Sequence, residues 1–209
     1  INLQESNSLR ITGTGVRTLA GDGNISIDVD AGNLTVDAVV TAHGNGNILL
    51  NTDAGSATFN QNVSSTAGDL TLNADRVLQN ANIATGVAGT VAISTDVADI
   101  VMVDGTSTTT DSGNITLTAA TDIDLSSVRS SNGNLTLTAS NGEITDNTAA
   151  EDSNLETTGH TALDAATGLG SADDIDTVIN TLQATNRNSG DINLQESNSL
   201  RITGTGVRT

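Results

Sequence analysis

A short phrase recurs along this chain: a glycine, a small polar residue, an aliphatic, a spacer and a second aliphatic. Its clearest copies are Gly113-Asn114-Ile115-Thr116-Leu117-Thr118 and, twenty residues later, Gly133-Asn134-Leu135-Thr136-Leu137-Thr138. Side chains alternate along a strand, so Ile115 and Leu117 share one face while Thr116 and Thr118 share the other. The phrase starts again at Gly23, Gly46, Gly68, Gly89 and Gly190, with a degenerate copy at Gly159. A strand this short cannot bury its apolar face alone. Returning at a near-fixed spacing, it can bury that face against its own neighbours, which is the pattern of a solenoid.

Alignment on the leading glycine exposes two inward positions. The first holds Ile25, Ile48, Leu70, Val91, Ile115, Leu135, Thr161 and Ile192. The second holds Ile27, Leu50, Leu72, Ile93, Leu117, Leu137, Leu163 and Leu194. Only Thr161 among these sixteen is not aliphatic, so the pattern marks a continuous interior rather than a chance alternation. The position between them holds Ser26, Leu49, Thr71, Ala92, Thr116, Thr136, Ala162 and Asn193, mostly small or polar, as a solvated face requires. These residues predict an all-β parallel β-helix.

The residue after the glycine is Asn24, Asn47, Asp69, Asn114, Asn134 or Asp191 in six copies, and Thr90 or His160 in the other two. Stacked on one corner, asparagine amides can bond up and down a column, and the two aspartates should interrupt such a ladder by repulsion. The competing explanation is the ordinary turn preference of Asn and Asp. Corner glycines such as Gly23, Gly46 and Gly133 are expected to supply positive φ and to let coils approach closely.

Each coil should carry a second strand. Candidates are Asn33 to Val36, Ala57 to Phe59, Ile100 to Val103, Asp122 to Leu125 and Ser199 to Ile202, with a shorter third strand closing some coils. The stretch 171–185 reads two ways. Ser171 with Asp174 imitates a helix cap, whereas the alternation and β-branching from Thr177 to Thr185 favour a strand.

Residues 1–18 and 192–209 are identical. The chain is thus one 191-residue period plus the start of the next, read as a single continuous segment over 1–209 within a longer tandem array. Eight phrases per period give about 24 residues per coil. At ~4.8 Å per coil, one period would advance roughly 38 Å. Ile1-Asn2-Leu3-Gln4 has no signal-peptide character and reads as the interior of something longer.

Composition narrows the function. Phe59 is the only aromatic residue, and Trp, Tyr, Pro, Cys and Lys are absent. Disulfides and Lys–Asn cross-links are therefore excluded. A net charge of −18 opposes binding to nucleic acid or to anionic lipid, and no apolar run is long enough to insert into a membrane. His43 and His160 lie in different coils without a cysteine, a poor basis for zinc. No Ser/His/Asp constellation stands out. Carboxylates do pair, as Asp28 with Asp30, Asp122 with Asp124, and Asp173 with Asp174 and Asp176. No cofactor is expected; such pairs could take calcium weakly, although no calcium-loop motif is present, and a solvated acidic face explains them equally. Outward threonines at 116, 118, 136 and 138 do not extend to neighbouring coils, so no ice-binding grid forms.

The phrases from Gly113 to Asp146 and from Gly68 to Asp75 resemble the filamentous haemagglutinin-like repeats of giant bacterial surface proteins. The resemblance implies a right-handed parallel β-helix, export, and an extracellular or cell-surface place as a long stalk or filament. Coils after Gly133 and Gly159 are longer than that family's usual coil. The function expected is a structural repeat of a filament, stalk or sheath, with no enzymatic activity and with adjacent copies of the same repeat as partners, end to end or side by side. The alternative is an adhesin array, for which Phe59 and Leu49 would be the exposed apolar candidates. A polysaccharide-active β-helix enzyme is the remote alternative.

Overall fold

Three parallel strands per coil, stacked coil on coil for about nine turns, account for this chain in a computed structural model that describes residues 1–209. Every pairing between strands is parallel. The fold is an all-β parallel β-solenoid, and the phrase that dominates the sequence builds its first face. That face holds strands Ile25–Val29, Ile48–Thr52, Leu70–Ala74, Val91–Thr95, Ile115–Ala119 and Leu135–Ala139. Each has alternate residues buried, because each strand is covered on one side only.

The inward column is continuous. Ile25 pairs with Ile48, Ile48 with Leu70, Leu70 with Val91, Val91 with Ile115, Ile115 with Leu135, and Leu135 with Thr161. Ile27, Leu50, Leu72, Ile93, Leu117, Leu137 and Leu163 form the second column in the same register. A cluster of 41 buried apolar residues, from Ile11 to Ala184, fills the interior without a break. Aliphatic rungs suffice because the interior is narrow, and the single ring, Phe59, lies wholly inside it.

The second face holds Leu34–Val36, Ser56–Phe59, Arg76–Gln79, Ile100–Met102, Ile123–Leu125 and Ile144–Asp146. The expected strands at 33–36, 100–103 and 122–125 are there, each trimmed by a residue, and the one at 57–59 starts a residue earlier, at Ser56. Two went unread: Arg76–Gln79 carries a charge and a glutamine, and Ile144–Asp146 has one apolar residue. Short strands Val40–Ala42, Val63–Ser65, Ile83–Thr85, Ser107–Thr110 and Ser127–Ser130 make the third face. Leu155–Ala165 and Ile175–Asn186 run from the third face into the first as single long strands, with a register irregularity between Thr157 and His160. The stretch 171–185 thus ends as strand, and alternation rather than the cap-like Ser171 decided it.

The two identical blocks lie on different faces. In the first block, Asn2–Glu5 pairs with the first face, Leu3 opposite Ile27, while Leu9–Ile11 and Val16–Arg17 pair with the second and third. In the second block, Ile192 bridges Leu169 on the second face and Leu194–Glu196 pairs with Ile175–Thr177 on the third. Arg201–Arg208 then forms one strand against the first face, with an irregularity between its two halves. Two sequence expectations are corrected here. Ile192 and Leu194 are not rungs of the first-face columns, whose eighth rung is Leu182 and Ala184, paired to Thr161 and Leu163. The candidate strand from Ser199 to Ile202 belongs to the first face, not the second. The cause is coil length: the coil after Thr161 returns to the first face at Leu182, before Gly190 is reached.

Candidate functional site

No cleft dominates this molecule, so the features that define it are its stacked corners and what they leave on the outside. The leading glycines form a column. A Cβ on Gly68 would lie under 3.0 Å from the Gly46 carbonyl oxygen, and the same holds for Gly89 over Gly68, Gly113 over Gly89, Gly133 over Gly113 and Gly159 over Gly133. None of these glycines has positive φ. The expectation that they supply a left-handed backbone is therefore corrected: they are glycines because the next coil's backbone leaves no space for a side chain. Gly190 does have positive φ and stands outside this column, as the displacement of Asp191 and Ile192 requires.

Beside the glycines runs a hydrogen-bond ladder of a kind the sequence did not disclose. The Asn47 backbone N–H donates to Asn24 Oδ1 at 2.9 Å, Asp69 N–H to Asn47 Oδ1 at 2.9 Å, and Thr90 N–H to Asp69 Oδ1 at 2.8 Å. After a gap at Asn114, Asn134 N–H donates to Asn114 Oδ1 at 2.8 Å and His160 N–H to Asn134 Oδ1 at 2.9 Å. The ladder runs from side-chain oxygen to backbone N–H, not from amide to amide. Asp69 consequently carries it as well as Asn47 does, and the expected interruption by aspartate does not occur there. The break falls after Thr90, whose hydroxyl is spent on Asp69 Oδ1. Asp191 lies off the ladder; its carbonyl accepts from Leu169 N–H.

The glycine carbonyls have partners of their own. Buried hydroxyls at the ends of third-face strands donate to them: Ser65 to Gly46 (2.7 Å), Thr85 to Gly68 (2.6 Å), Ser130 to Gly113 (2.9 Å) and Thr157 to Gly133 (2.6 Å). Sequence reasoning missed this set. Its signal is a Ser or Thr two to four residues before Gly68, Gly89, Gly133 and Gly159, hidden in a chain rich in both.

Outside, charge dominates and apolar surface is scattered. Phe59 is buried, which removes it as an exposed adhesive candidate; Leu49 remains 37% exposed among polar neighbours. Arg10 pairs with Asp37, which also accepts from Asn60 Nδ2 at 2.7 Å. These bonds, Asn60 first and Arg10 second, hold the Asp37 carboxyl below its ordinary value. His160 takes the corner position, its Nδ1 3.2 Å from Thr181 Oγ1, and His43 Nδ1 donates to the Gly21 carbonyl at 3.0 Å. The two imidazoles occupy corners of different coils and no shared site.

One concavity is entirely polar. It has a volume of about 490 Å³ on the third face, lined by Asp104, Ser107, Thr109, Ser127, Arg129 and Asp152 among others. The loop 147–153 overhangs it and reaches back two coils: Asn147 Nδ2 donates to the Met102 carbonyl at 2.8 Å. The same loop places Glu151 against Asp173 and Asp174 of the next coil, with one carboxylate oxygen from each within 4.8 Å of the others. Asp28 and Asp30, by contrast, are split between Asn51 and Gln4. Asp122 and Asp124 accept from Glu143 N–H and Thr145 Oγ1.

These corners and columns define a parallel β-solenoid repeat protein. Searches of the chain against protein-family models, curated proteins and solved structures return no match. No helix of the structure is long and apolar enough to cross a membrane.

Proposed function

We propose that this chain is a structural repeat of a long extracellular filament, stalk or sheath on a bacterial cell surface, built from adjacent copies of itself. The observation that carries this reading is the unbroken first-face column from Ile25 to Leu182, in which each rung pairs with the rungs above and below. Such a core adds length without changing cross-section, so reach is set by repeat number. The identical blocks at 1–18 and 192–209 support tandem continuation. The phrases of Gly113 to Asp146 resemble filamentous haemagglutinin-like repeats, and this supports export and a surface location. The charge of −18 favours rods that repel one another in solution.

The adhesive reading draws on one observation, the polar groove beside Arg129, whose hydroxyls and carboxylates suit a polyhydroxylated ligand. Electron microscopy of chains with one, two and four periods tests the structural reading. The expected result is rods of constant width whose length grows in proportion to period number. Compact particles, or lengths that do not scale, would overturn it. Saturable retention on immobilised glycans, abolished by Arg129→Ala, would favour adhesion.

A further inference from the structure

The same eighteen residues are held in two different ways. In residues 1–18 the second half is the better anchored. Ile11 is 6% exposed, Leu9 and Val16 are half-buried, and all three pair with the coil that follows. Arg10 pairs with Asp37 of that coil, Ser8 Oγ accepts the Asn33 N–H at 3.0 Å, and Thr18 Oγ1 accepts the His43 N–H at 2.8 Å. The first half is the less covered, with Ile1 55% and Leu3 39% exposed.

In residues 192–209 the halves trade roles. Ile192 and Leu194 are half-buried against the core. Asn193 Nδ2 donates to the Gly170 carbonyl at 2.8 Å, Gln195 Nε2 to Asp176 Oδ1 at 2.9 Å, and Glu196 Oε2 accepts from Thr177 Oγ1 at 2.8 Å, all in the coil before. Here the second half is the less covered: Ile202 is 48% and Val207 46% exposed. Arg201, the equivalent of Arg10, takes part in none of the four ion pairs. The turn inside that half is nonetheless the same in both blocks. Gly13 and Gly15 have φ +68° and +77°, and Gly204 and Gly206 have +59° and +87°.

We propose that this block is a two-sided joint: its first half binds the coil before it, its second half the coil after it, and residues 192–209 of one copy dock onto the 24–42 coil of a second copy in place of that copy's own residues 1–18. The proposal rests on the filament reading for one premise, that copies meet end to end. Sequence identity names the occupant. Whatever the 24–42 coil does for residues 1–18 it does for the same residues of another chain, and exchange of an identical element is a low-cost route to association. Docked there, Ile202 and Val207 gain the cover that Ile11 and Val16 have, and Arg201 meets the second copy's Asp37. The released block regains its chain entropy. Leu194 lies on the third face and Leu3 on the first, so the second copy sits turned by one face, its first face continuing the third face of the copy before. Val207 and Arg208 must then leave Ala184 and Thr185, and the register irregularity between Leu182 and Ala184 already separates that pairing from the rest of the strand.

The chain has no cysteine, so single substitutions can report the joint. Arg10 stands opposite Thr35 in register, both on the outer side of their strands, and Arg201 should take that place against Thr35 of a second copy. Within one chain, Thr35 and Arg201 lie near opposite ends of the rod. A chain carrying Thr35→Cys is mixed with one carrying Arg201→Cys under oxidised glutathione. Heterodimers linked through these two positions are expected in excess over either homodimer. Ile11→Ala on the first chain loosens its resident block and should speed this linkage by about tenfold; Ile202→Ala on the second weakens the incoming block and should slow it by about as much. One substitution at two equivalent positions thus acts in opposite directions, which chance collision does not produce. Monomers alone, homodimers as abundant as heterodimers, or linkage indifferent to both alanines would overturn the joint. So would preferred linkage of Arg10→Cys with Arg201→Cys, the mark of two intact ends abutting. Rods that lengthen with period number while Thr35→Cys and Arg201→Cys stay unlinked would remove the joint and leave the filament reading standing.

Discussion

Gly113 lies with its α-carbon against the carbonyl oxygen of Gly89 in the coil before, so closely that a methyl group there would fall under 3.0 Å from it. The contact is backbone on backbone, and neither side can yield without shifting a coil. Gly113→Ala is therefore expected to destabilise the fold by about 3 kcal/mol, at the upper end of the overpacking range. Gly105 provides the contrast. It has φ +81° and open space around it, so Gly105→Ala carries only the left-handed backbone penalty of about 1 kcal/mol. Thermal unfolding followed by far-UV circular dichroism compares the two, and equal losses would contradict the close-approach account.

Thr161 occupies an aliphatic rung between Leu135 and Leu182, with its hydroxyl buried and unpartnered. Thr161→Val keeps the shape and removes the unmet polar group. It should raise stability by about 1–2 kcal/mol. A neutral or destabilising outcome in the same unfolding assay would mean that the hydroxyl finds a partner after all.

The first face was legible in the sequence because its strands repeat one alternating phrase and its rungs need nothing but aliphatic bulk. The face assignment of Ile192 and Leu194 was not legible. Their phrase has the right composition, but face depends on how many residues each earlier corner consumes, and the coil beginning at Thr161 closes early at Leu182. Asp176 was visible only as one carboxylate among several. Nothing local in Asp173-Asp174 tells that a loop centred on Glu151, two dozen residues earlier, folds beside them. The polar caps on Gly46 and Gly113 were hidden for a different reason: serine and threonine are so frequent that their spacing carries little contrast.

The half-buried Asp124 sets a pH dependence. Burial raises its carboxyl above the ordinary 3.8; a hydrogen bond from Thr145 opposes the rise, and the charges of Asp122, Asp99 and Glu143 add to it. A carboxyl raised in the folded state binds its proton more tightly there, so stability grows as pH falls from neutrality through the raised value and the gain is complete below 3.8. Asp37, lowered by Asn60 and Arg10, acts oppositely: its contribution is present above 3.8 and is lost as pH falls through its depressed value. With Asp124, Glu151 and Asp176 all raised, the unfolding temperature should climb from pH 7 into the acid range and turn down only below 3.8. Asp124→Asn should flatten the climb. A monotonic fall from neutrality would refute this.

Ser130 closes the corner at which coils are locked together. Its Oγ donates to the Gly113 carbonyl at 2.9 Å and accepts the Gly133 N–H at 2.8 Å, and only 1% of the residue is exposed. Ser130→Ala strips the Gly133 N–H of that partner, while the Gly113 carbonyl keeps Thr110 Oγ1 at 2.6 Å, at a cost of about 1–2 kcal/mol. The converse change is available at Ala42, which pairs with Ser65 in register on the same face and stands where a hydroxyl would reach the Gly23 carbonyl as Ser65 reaches Gly46. Ala42→Ser should therefore add about 1 kcal/mol, the net worth of one hydrogen bond. If the buried hydroxyl is instead destabilising at position 42 while Ser130→Ala is mild, the caps are passengers of a serine-rich composition. In that case the glycine contacts alone set the coil spacing.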